Sequence, residues 1–486
     1  MSRYLTILEV SQKQAYIFGS NKVADNIVNS AVIAKCLSPE FISESLDKEV
    51  YIDEANMVYS GGGHTILEFD DPGKAKMCVS IISEKIFTDF EGLEIFAKTI
   101  EYNDSLSPKD NLKELTAQLE KKKALRSSAF HHGSFGIEKI DVNTLSPEKC
   151  GTCEAKKTVK SEEYNEASKI FTPEGFSPAH EFGKLGMEEN VSGFIAVVHI
   201  DGNGMGKRVD ELYDCGCMKT DDWNDVKKKL RQFSEGIDKD FKDAYHEMAD
   251  AVAQSIKNGQ LKDKLKLEYE KEKQYFPVRR IITAGDDICF VSEGRIGLEC
   301  ARIFIEKLSV KKNEIDKKGY SACAGVAIVH QKYPFYKAYE LAEELCSYAK
   351  KGGAQISPTD DGRNVSSIDW HIEFGEIKDS MEEIRKDYIS YDGENMSGRP
   401  YLVTANEEIM KDVDDKQKYD TFKKNVLALS SKEKEIGSGK IKQLRGVIKK
   451  GKVETDNYMK FYRIGDDIKE NLTFDAIEMI DTFFEV

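Results

Sequence analysis

Over the first hundred residues, apolar and polar positions alternate in short runs and then fall into helical spacing, in the order strand, helix, hairpin, helix, strand. "RYLTILEV" reads as a strand, "ADNIVNSAVIAKCL" as a helix, "MVYSGGGHTILEF" as a hairpin, "KAKMCVSIISEKIFTDF" as a helix and "LEIFAKTIEY" as a strand. The same order returns with the strand "GFIAVVHID" and a long amphipathic helix marked by Leu230, Phe233, Ile237, Phe241, Tyr245, Met248, Val252 and Ile256. A hairpin around Asp286, a helix through "GLECARIFIEKL", the strand "SACAGVAIV" and a helix from Phe335 to Lys351 complete it. This degenerate internal duplication predicts an α+β chain with two ferredoxin-like palm domains, each an antiparallel sheet with helices on one face. Residues 1–130 would form the first palm, 131–190 a loop-rich connector and 191–355 the second palm. Residues 356–486, Lys/Glu-rich with helical periodicity, predict a small α-helical C-terminal domain.

Composition narrows the class of function. The chain has 486 residues, enough for several domains with sizeable cores, and its formal net charge of −15 argues against a broad nucleic-acid-binding surface. A local basic patch remains compatible with that charge, and Lys440, Lys442, Arg445, Lys449, Lys450 and Lys452 form the most basic stretch, read as a solvated helix face. The opening "MSRYLTILEV" has no signal-peptide pattern, and apolar runs such as "FIAVV" are too short to cross a bilayer, so no membrane association and a cytoplasmic location are expected. Most of the ten cysteines stand singly within apolar segments, which suits reduced core thiols.

The two repeats differ at their hairpin tips. One carries Gly61-Gly62-Gly63-His64, suited to close backbone approach, and the other Ala284-Gly285-Asp286-Asp287, suited to charge. An Asp-Asp pair alone is weak evidence, since five others occur, at Asp70, Asp221, Asp360, Asp414 and Asp466 and the residue after each. Asp201, at the end of "IAVVHID" and followed by "GNGMGKR", sharpens it. In a palm the first strand and the central hairpin are sheet neighbours, so Asp201 would meet Asp286 and Asp287. Three converging carboxylates repel unless a cation offsets them, and hard oxygen ligands suit Mg²⁺ or Mn²⁺. The turn from Gly202 through Asn203 and Gly204 to Lys207 could face a phosphate chain; a plain strand-to-helix turn is the alternative. His199 reads as a packed strand histidine and His64 as an exposed tip residue.

"HIDGNGMGKR", "ITAGDDICFV" and "SACAGVAIVHQKYPFYKAYELAEELCSYAKK" resemble the catalytic palm of the large, polymerase-like subunit of type III CRISPR effector complexes, distantly related to GGDEF-type nucleotide cyclases. "QAYIFGSNKVADNIVNSAVIA" and "VYSGGGHTILEF" are similar to that family's first palm, and "GRPYLV" and "LSSKEKEIGSGKIKQLRGVIKKGK" to its C-terminal domain. The resemblance implies a nucleotidyltransferase that links ATP into cyclic oligoadenylates with two Mg²⁺ or Mn²⁺ ions, in antiviral defence. It implies Asp201, Ile200, Asp286 and Asp287 as the metal site and Lys350 and Gly285 near the triphosphate. Ser20, Asn21, Gly61, Gly62 and Gly63 would belong to a non-catalytic nucleotide pocket. The implied partners are crRNA-effector subunits and target RNA. Because "RYLTILEV" opens the chain, no HD nuclease domain is expected. Ala284 stands where the family usually has glycine, and its usual two cysteine pairs are represented by Cys150 and Cys153 alone. Zinc there would need two more ligands, from His131, His132, Cys215 or Cys217; a knuckle without metal is the plainer reading. Two other readings stay open: a weakly catalytic nucleotide-binding scaffold of an RNA-guided complex, and a stand-alone, homo-oligomeric cyclic-nucleotide synthase.

Overall fold

A computed structural model describes residues 2–19, 23–46, 50, 56–61, 63–90, 92–125, 168–186, 193–261, 264–358, 362–375, 380–430, 437–464 and 473–486. Ser20, Asn21, Gly62, Cys150, Cys153 and the connector up to residue 167 lie outside the described residues.

The first unit comprises β1 (Tyr4–Ser11), α1 (Lys13–Ile17), α2 (Val23–Cys36), α3 (Pro39–Ser45), β2 (Met57–Gly61), β3 (His64–Phe69), α4 (Pro72–Asp89) and β4 (Glu94–Glu101), followed by α5 (Pro108–Ala124). Its sheet runs β2-β3-β1-β4 with every neighbour antiparallel. The second repeats the plan with β5 (Phe194–Gly202), α6 (Met205–Leu212), α7 (Trp223–Lys257), β6 (Val278–Ala284), β7 (Asp287–Glu293), α8 (Gly297–Ser309), β8 (Ala322–His330) and α9 (Phe335–Ile356). Its strands β8-β5-β7-β6 lie in the corresponding order and are likewise antiparallel. The internal duplication read from the pattern is therefore present strand for strand.

Local chemistry explains the element starts. Asp71 accepts from the amides of Gly73 and Lys74 ahead of α4, and Asp222 from Asn224 ahead of α7. Asp414 likewise accepts from Lys416 at a short 3₁₀ turn. Three of the other Asp-Asp pairs thus supply helix caps. The stripe expected on α7 is buried from Leu230 to Ile256, and β5 and β8 bury nearly every residue in the middle of the sheet. Each such Val, Leu, Ile or Phe contributes roughly 1.5–3 kcal/mol on removal from water.

The C-terminal part differs from expectation. It holds the helices α10 (Met381–Lys386), α11 (Tyr419–Ser430), α12 (Ser438–Ile448), α13 (Lys452–Tyr462) and α14 (Phe474–Met479), but also two strands. β9 (Val365–Ile372) joins β8 in parallel and β10 (Tyr401–Ala405) follows antiparallel, so the second sheet has six strands and continues past residue 355. Every residue of "VSSIDWHI" is buried, although Ile368, Trp370 and Ile372 alternate with the polar Asp369 and His371 as in a half-exposed strand. The fully buried Arg399 guanidinium ties α14 to this extension, pairing with Asp475 at 3.0 Å and Glu478 at 3.2 Å and donating to the Trp370 carbonyl at 2.7 Å. The basic stretch is partly consumed the same way, in pairs Lys442–Asp481, Arg445–Glu478 and Lys449–Asp387.

Side-chain hydrogen bonds join the two palms. Trp223 and Lys227 of α7 both bond Glu68 of β3, at 2.9 and 2.6 Å, and Gln14 of α1 bonds Glu343 of α9 at 2.6 Å. Cys36, Cys78, Cys289, Cys300, Cys323 and Cys346 are buried free thiols, as expected, whereas Cys215 and Cys217 are joined in a disulfide across Gly216 and are not free to ligate zinc. Among the described residues no helix is long and apolar enough to cross a membrane.

Candidate active site

Strand pairing brings the three predicted aspartates to one end of the second sheet. Asp287, the first residue of β7, lies opposite Asp201 of β5, and the Gly202 amide donates to the Asp286 carbonyl at 3.1 Å. The hairpin closes with Ala284 opposite Asp287, leaving Gly285 and Asp286 as its two-residue loop. Such a loop needs a left-handed first residue, and Gly285 has φ +65°. Ala284 sits on the strand side of the turn and is absent from the left-handed residues, so its methyl group meets no backbone conflict. Restoring the familial glycine by Ala284→Gly should therefore not raise catalytic rate beyond about twofold, and should cost about 0.5–1 kcal/mol of stability through chain entropy. Turnover and urea midpoints of the two proteins check both parts.

Gly202 has a steric duty. A Cβ there would stand 2.8 Å from the Asp286 Cβ, 3.0 Å from Met205 Cε and 3.1 Å from Phe241 Cζ. Gly202→Ala is expected to push the hairpin tip aside, lowering turnover by about a hundredfold, the scale of a misplacement near 1 Å. Unaltered turnover in a folded Gly202→Ala protein would contradict this placement.

Electrostatics at the tip are strained. Burial, and then the charge of Asp201, push the Asp286 carboxyl up to about 6 and that of Asp287 up to about 7. Asp287 Oδ1 is shielded and has no hydrogen-bond partner among the described residues; His199 Nδ1 lies 3.5 Å away, and burial keeps that imidazole neutral. Crowded carboxylates and an orphaned hard-oxygen acceptor fit a divalent cation. The third expected ligand is engaged elsewhere. Lys350, expected beside a triphosphate, bonds the Asp201 carboxylate and reaches the Gly202 carbonyl at 3.4 Å. Burial opposes the lysine's charge, but Asp201 outweighs it and raises the ammonium pKa. Among the described residues no three His, Cys, Asp or Glu side chains are gathered around a common metal position. Ile200 buries its side chain in the core, so only its main chain could serve such a site.

The glycine-rich turn is less open than the sequence suggests. The Gly202 amide is spent on the Asp286 carbonyl, and the Asn203 amide, just past the end of β5, on the Ser321 carbonyl at 2.9 Å. Gly204, with φ +67°, begins α6 without a side-chain cap, and Lys207 is exposed on its first turn.

The first palm closes the other side. Gly61 packs near Ser234 of α7, where a Cβ would meet Oγ at 3.2 Å, and Gly63, with φ +74°, packs on Lys13, where a Cβ would meet Cε at 2.9 Å. His64 is less exposed than a tip residue was expected to be. It stacks on Tyr59 at 4.7 Å, and burial, then Lys13, push its pKa down to about 4. The sequence reading missed Glu343, whose charge bears on Asp287, and the α1 residues Lys13 and Gln14. Gln12, left-handed at φ 50°, turns β1 straight into α1, which brings Gln14 to Glu343 and the charge of Lys13 to bear on Asp287. No local pattern marks such a turn.

Residues 194–356 match the family model of the Cas10/Cmr2 second palm domain. No curated protein matches the chain. Among solved structures it is similar to a Csm1–Csm4 cassette in complex with pppApApA, with TM-score 0.56 and 13% identity over 99% of this chain and 68% of that one. A Csm1–Csm4 cassette in complex with cA3 gives TM-score 0.54 and 14% identity over 99% and 69%. Csm1 of T. onnurineus gives 0.51 and 13% over 99% and 68%. At such identities the likeness is one of fold. Residues 194–356 thus form a second palm of the Cas10/Cmr2 type, and the chain as a whole has a fold similar to that of Csm1.

Proposed function

We propose that the chain is a nucleotidyltransferase that condenses ATP into a cyclic oligoadenylate signal, as the large subunit of a type III CRISPR-like complex. The observation that carries this reading is the Asp286–Asp287 hairpin tip, held against Asp201 by strand pairing and electrostatically unsatisfied as it stands. The nucleotide-bound Csm1 structures of the same fold support the substrate class.

Asp286 and Asp287 would hold Mg²⁺ or Mn²⁺, with Asp201 joining when Lys350 moves its ammonium to a phosphate. The bound ion would supply charge stabilisation for phosphoryl transfer. The side chains' own work is positional. Gly202 lets the Asp286 tip approach β5, Lys350 balances Asp201 until substrate arrives, and Gly61 lets the first palm pack against Ser234 of α7. Neutral His199 keeps a second positive charge away from Asp287.

Pyrophosphate release from each of the four nucleoside triphosphates, with Mg²⁺ or Mn²⁺ and with or without RNA, tests the reading. ATP-dependent release that EDTA abolishes is expected; absence of release under every condition, with nucleotide still bound, would favour a non-catalytic scaffold.

A further inference from the structure

A second cavity opens at the same end of the sheet, behind the glycine-rich turn. It has a volume of about 780 Å³ and is walled by Asn203, Arg208, Glu211, Lys318, Ser321 and Arg363, among others. That volume lies within the range of small-ligand pockets. The wall is dominated by hydrogen-bonding side chains, which rules out a lipid or steroid occupant.

Its charges are arranged around a single carboxylate. Glu211 receives Lys318 on one oxygen and Arg363 on the other, each at 2.5 Å, and these two cations hold its pKa down at about 2. Arg208 is fixed behind them by Asp316, with both bonds at 2.9 Å. Glu211 thus marks a place where an anion is gripped by two cations, each keeping a third or more of its side-chain surface in solvent or close to it, at 51% and 32%. Deeper in, Asn203 is 8% exposed, and its Nδ2 is committed to the Val365 carbonyl at 2.7 Å and Ser321 Oγ at 3.2 Å. Those bonds orient the amide and leave Oδ1 buried with no donor among the described residues. A buried unmet acceptor costs about 1–3 kcal/mol and calls for an N–H or O–H group.

We infer that this cavity is a binding site for a small phosphorylated molecule that also carries a hydrogen-bond donor, of mononucleotide size. Its phosphate takes the Lys318 and Arg363 cations in exchange for Glu211, and its amino or hydroxyl group donates to Asn203 Oδ1. The site is distinct from the aspartate cleft but adjoins it, since Asn203 follows Gly202, whose amide holds the Asp286 carbonyl. The inference does not depend on ATP being turned over.

Amide hydrogen exchange of the full chain, with AMP, adenosine or inorganic phosphate as probe, tests it. AMP should slow exchange severalfold in residues 204–211 and 318–321. Adenosine should do so far less, and phosphate alone should protect only the cation end. Lys318→Met with Arg363→Met should weaken AMP binding about tenfold, whereas Glu211→Gln, which removes the competing carboxylate, should tighten it severalfold. Tightening cannot arise from misfolding. Protection confined to residues 285–287 or to the first palm, or an AMP affinity unaltered by all three substitutions, would overturn the site, as would absence of any protection.

Discussion

Replacing Asp286 and Asp287 together with alanine should abolish product formation while leaving a chain that is more heat-stable than the wild type at pH 8. Both carboxyls have pKa values raised in the fold, to about 6 and about 7, with burial the larger cause and Asp201 the next. A raised carboxyl binds more protons in the folded than in the unfolded chain. Stability from this pair is therefore lost as pH rises from near 4 through 7, and above 7 both aspartates are ionised at a cost. Alanine removes that cost, so the gain in midpoint should be seen at pH 8 and should fade by pH 4. Mg²⁺ or Mn²⁺ should raise the wild-type midpoint at pH 8 and leave the double variant unmoved. Turnover should fall at least about a thousandfold, equivalent to about 4 kcal/mol of transition-state charge stabilisation. Destabilisation of the variant at pH 8 would mean that the carboxylates serve the fold and not chemistry.

The largest effect on stability is expected at a position with no chemistry of its own. Gly325 lies in β8 beneath α9, and a Cβ there would stand 1.9 Å from the Ala342 carbonyl oxygen, 2.4 Å from the Cys346 amide nitrogen and 2.9 Å from Leu345 Cβ. Two of these are helix backbone atoms, which cannot swing away as a side-chain end can. Gly325→Ala must lift the helix from the sheet, and a cost on the order of 3 kcal/mol or more follows, at the upper end for an overpacked core. The same helix carries Glu343 and Lys350, so residual folded protein should also bind nucleotide poorly. A urea midpoint lowered with the slope unchanged would confirm the effect; a midpoint equal to wild type would show that β8 and α9 are less closely packed than described here.

Much of this was legible in the residues. The strand–helix–hairpin–helix–strand order could be read because β1, β5 and the hairpins are bounded by glycines and polar turns, and because α7 keeps one apolar face across its whole length. The register of Asp201 against Asp287 also followed, since a palm's first strand must neighbour its hairpin. β9 was passed over although Ile368, Trp370 and Ile372 alternate with Asp369 and His371, because its start falls within the polar stretch "GGAQISPTDDGRNVSS" and was read with it. The engagement of Lys350 with Asp201 was hidden for a different reason. A lysine at one turn of α9 can serve a phosphate or a carboxylate, and only the tight seating of that helix at Gly325 selects the carboxylate in the chain alone. Ala284 is the reverse case: it departs from the glycine usual in the motif, yet the turn makes no demand for glycine there, because the left-handed position belongs to Gly285.

The contribution of the first palm was the least accessible. Gly61 and Gly63 could be recognised as close-approach residues, but Gly61 meets Ser234 only through the way the two palms pack, and Gly63 meets Lys13 of its own palm only through the turn at Gln12. Asn203 shows the same limit. It was read as part of a phosphate-facing turn, whereas its amide is spent on the Ser321 carbonyl and its side-chain oxygen is buried without a donor among the described residues.

The central claim is that the aspartate hairpin turns ATP into a cyclic oligoadenylate. Mass spectrometry of the products formed from ATP and Mg²⁺ or Mn²⁺ by the purified wild-type chain, alone and with target RNA and effector subunits, tests it most directly. The account predicts cyclic species with 3′–5′ linkages that are missing from the Asp286→Ala, Asp287→Ala protein. Intact ATP in every wild-type reaction, or identical products from the two proteins, would contradict it.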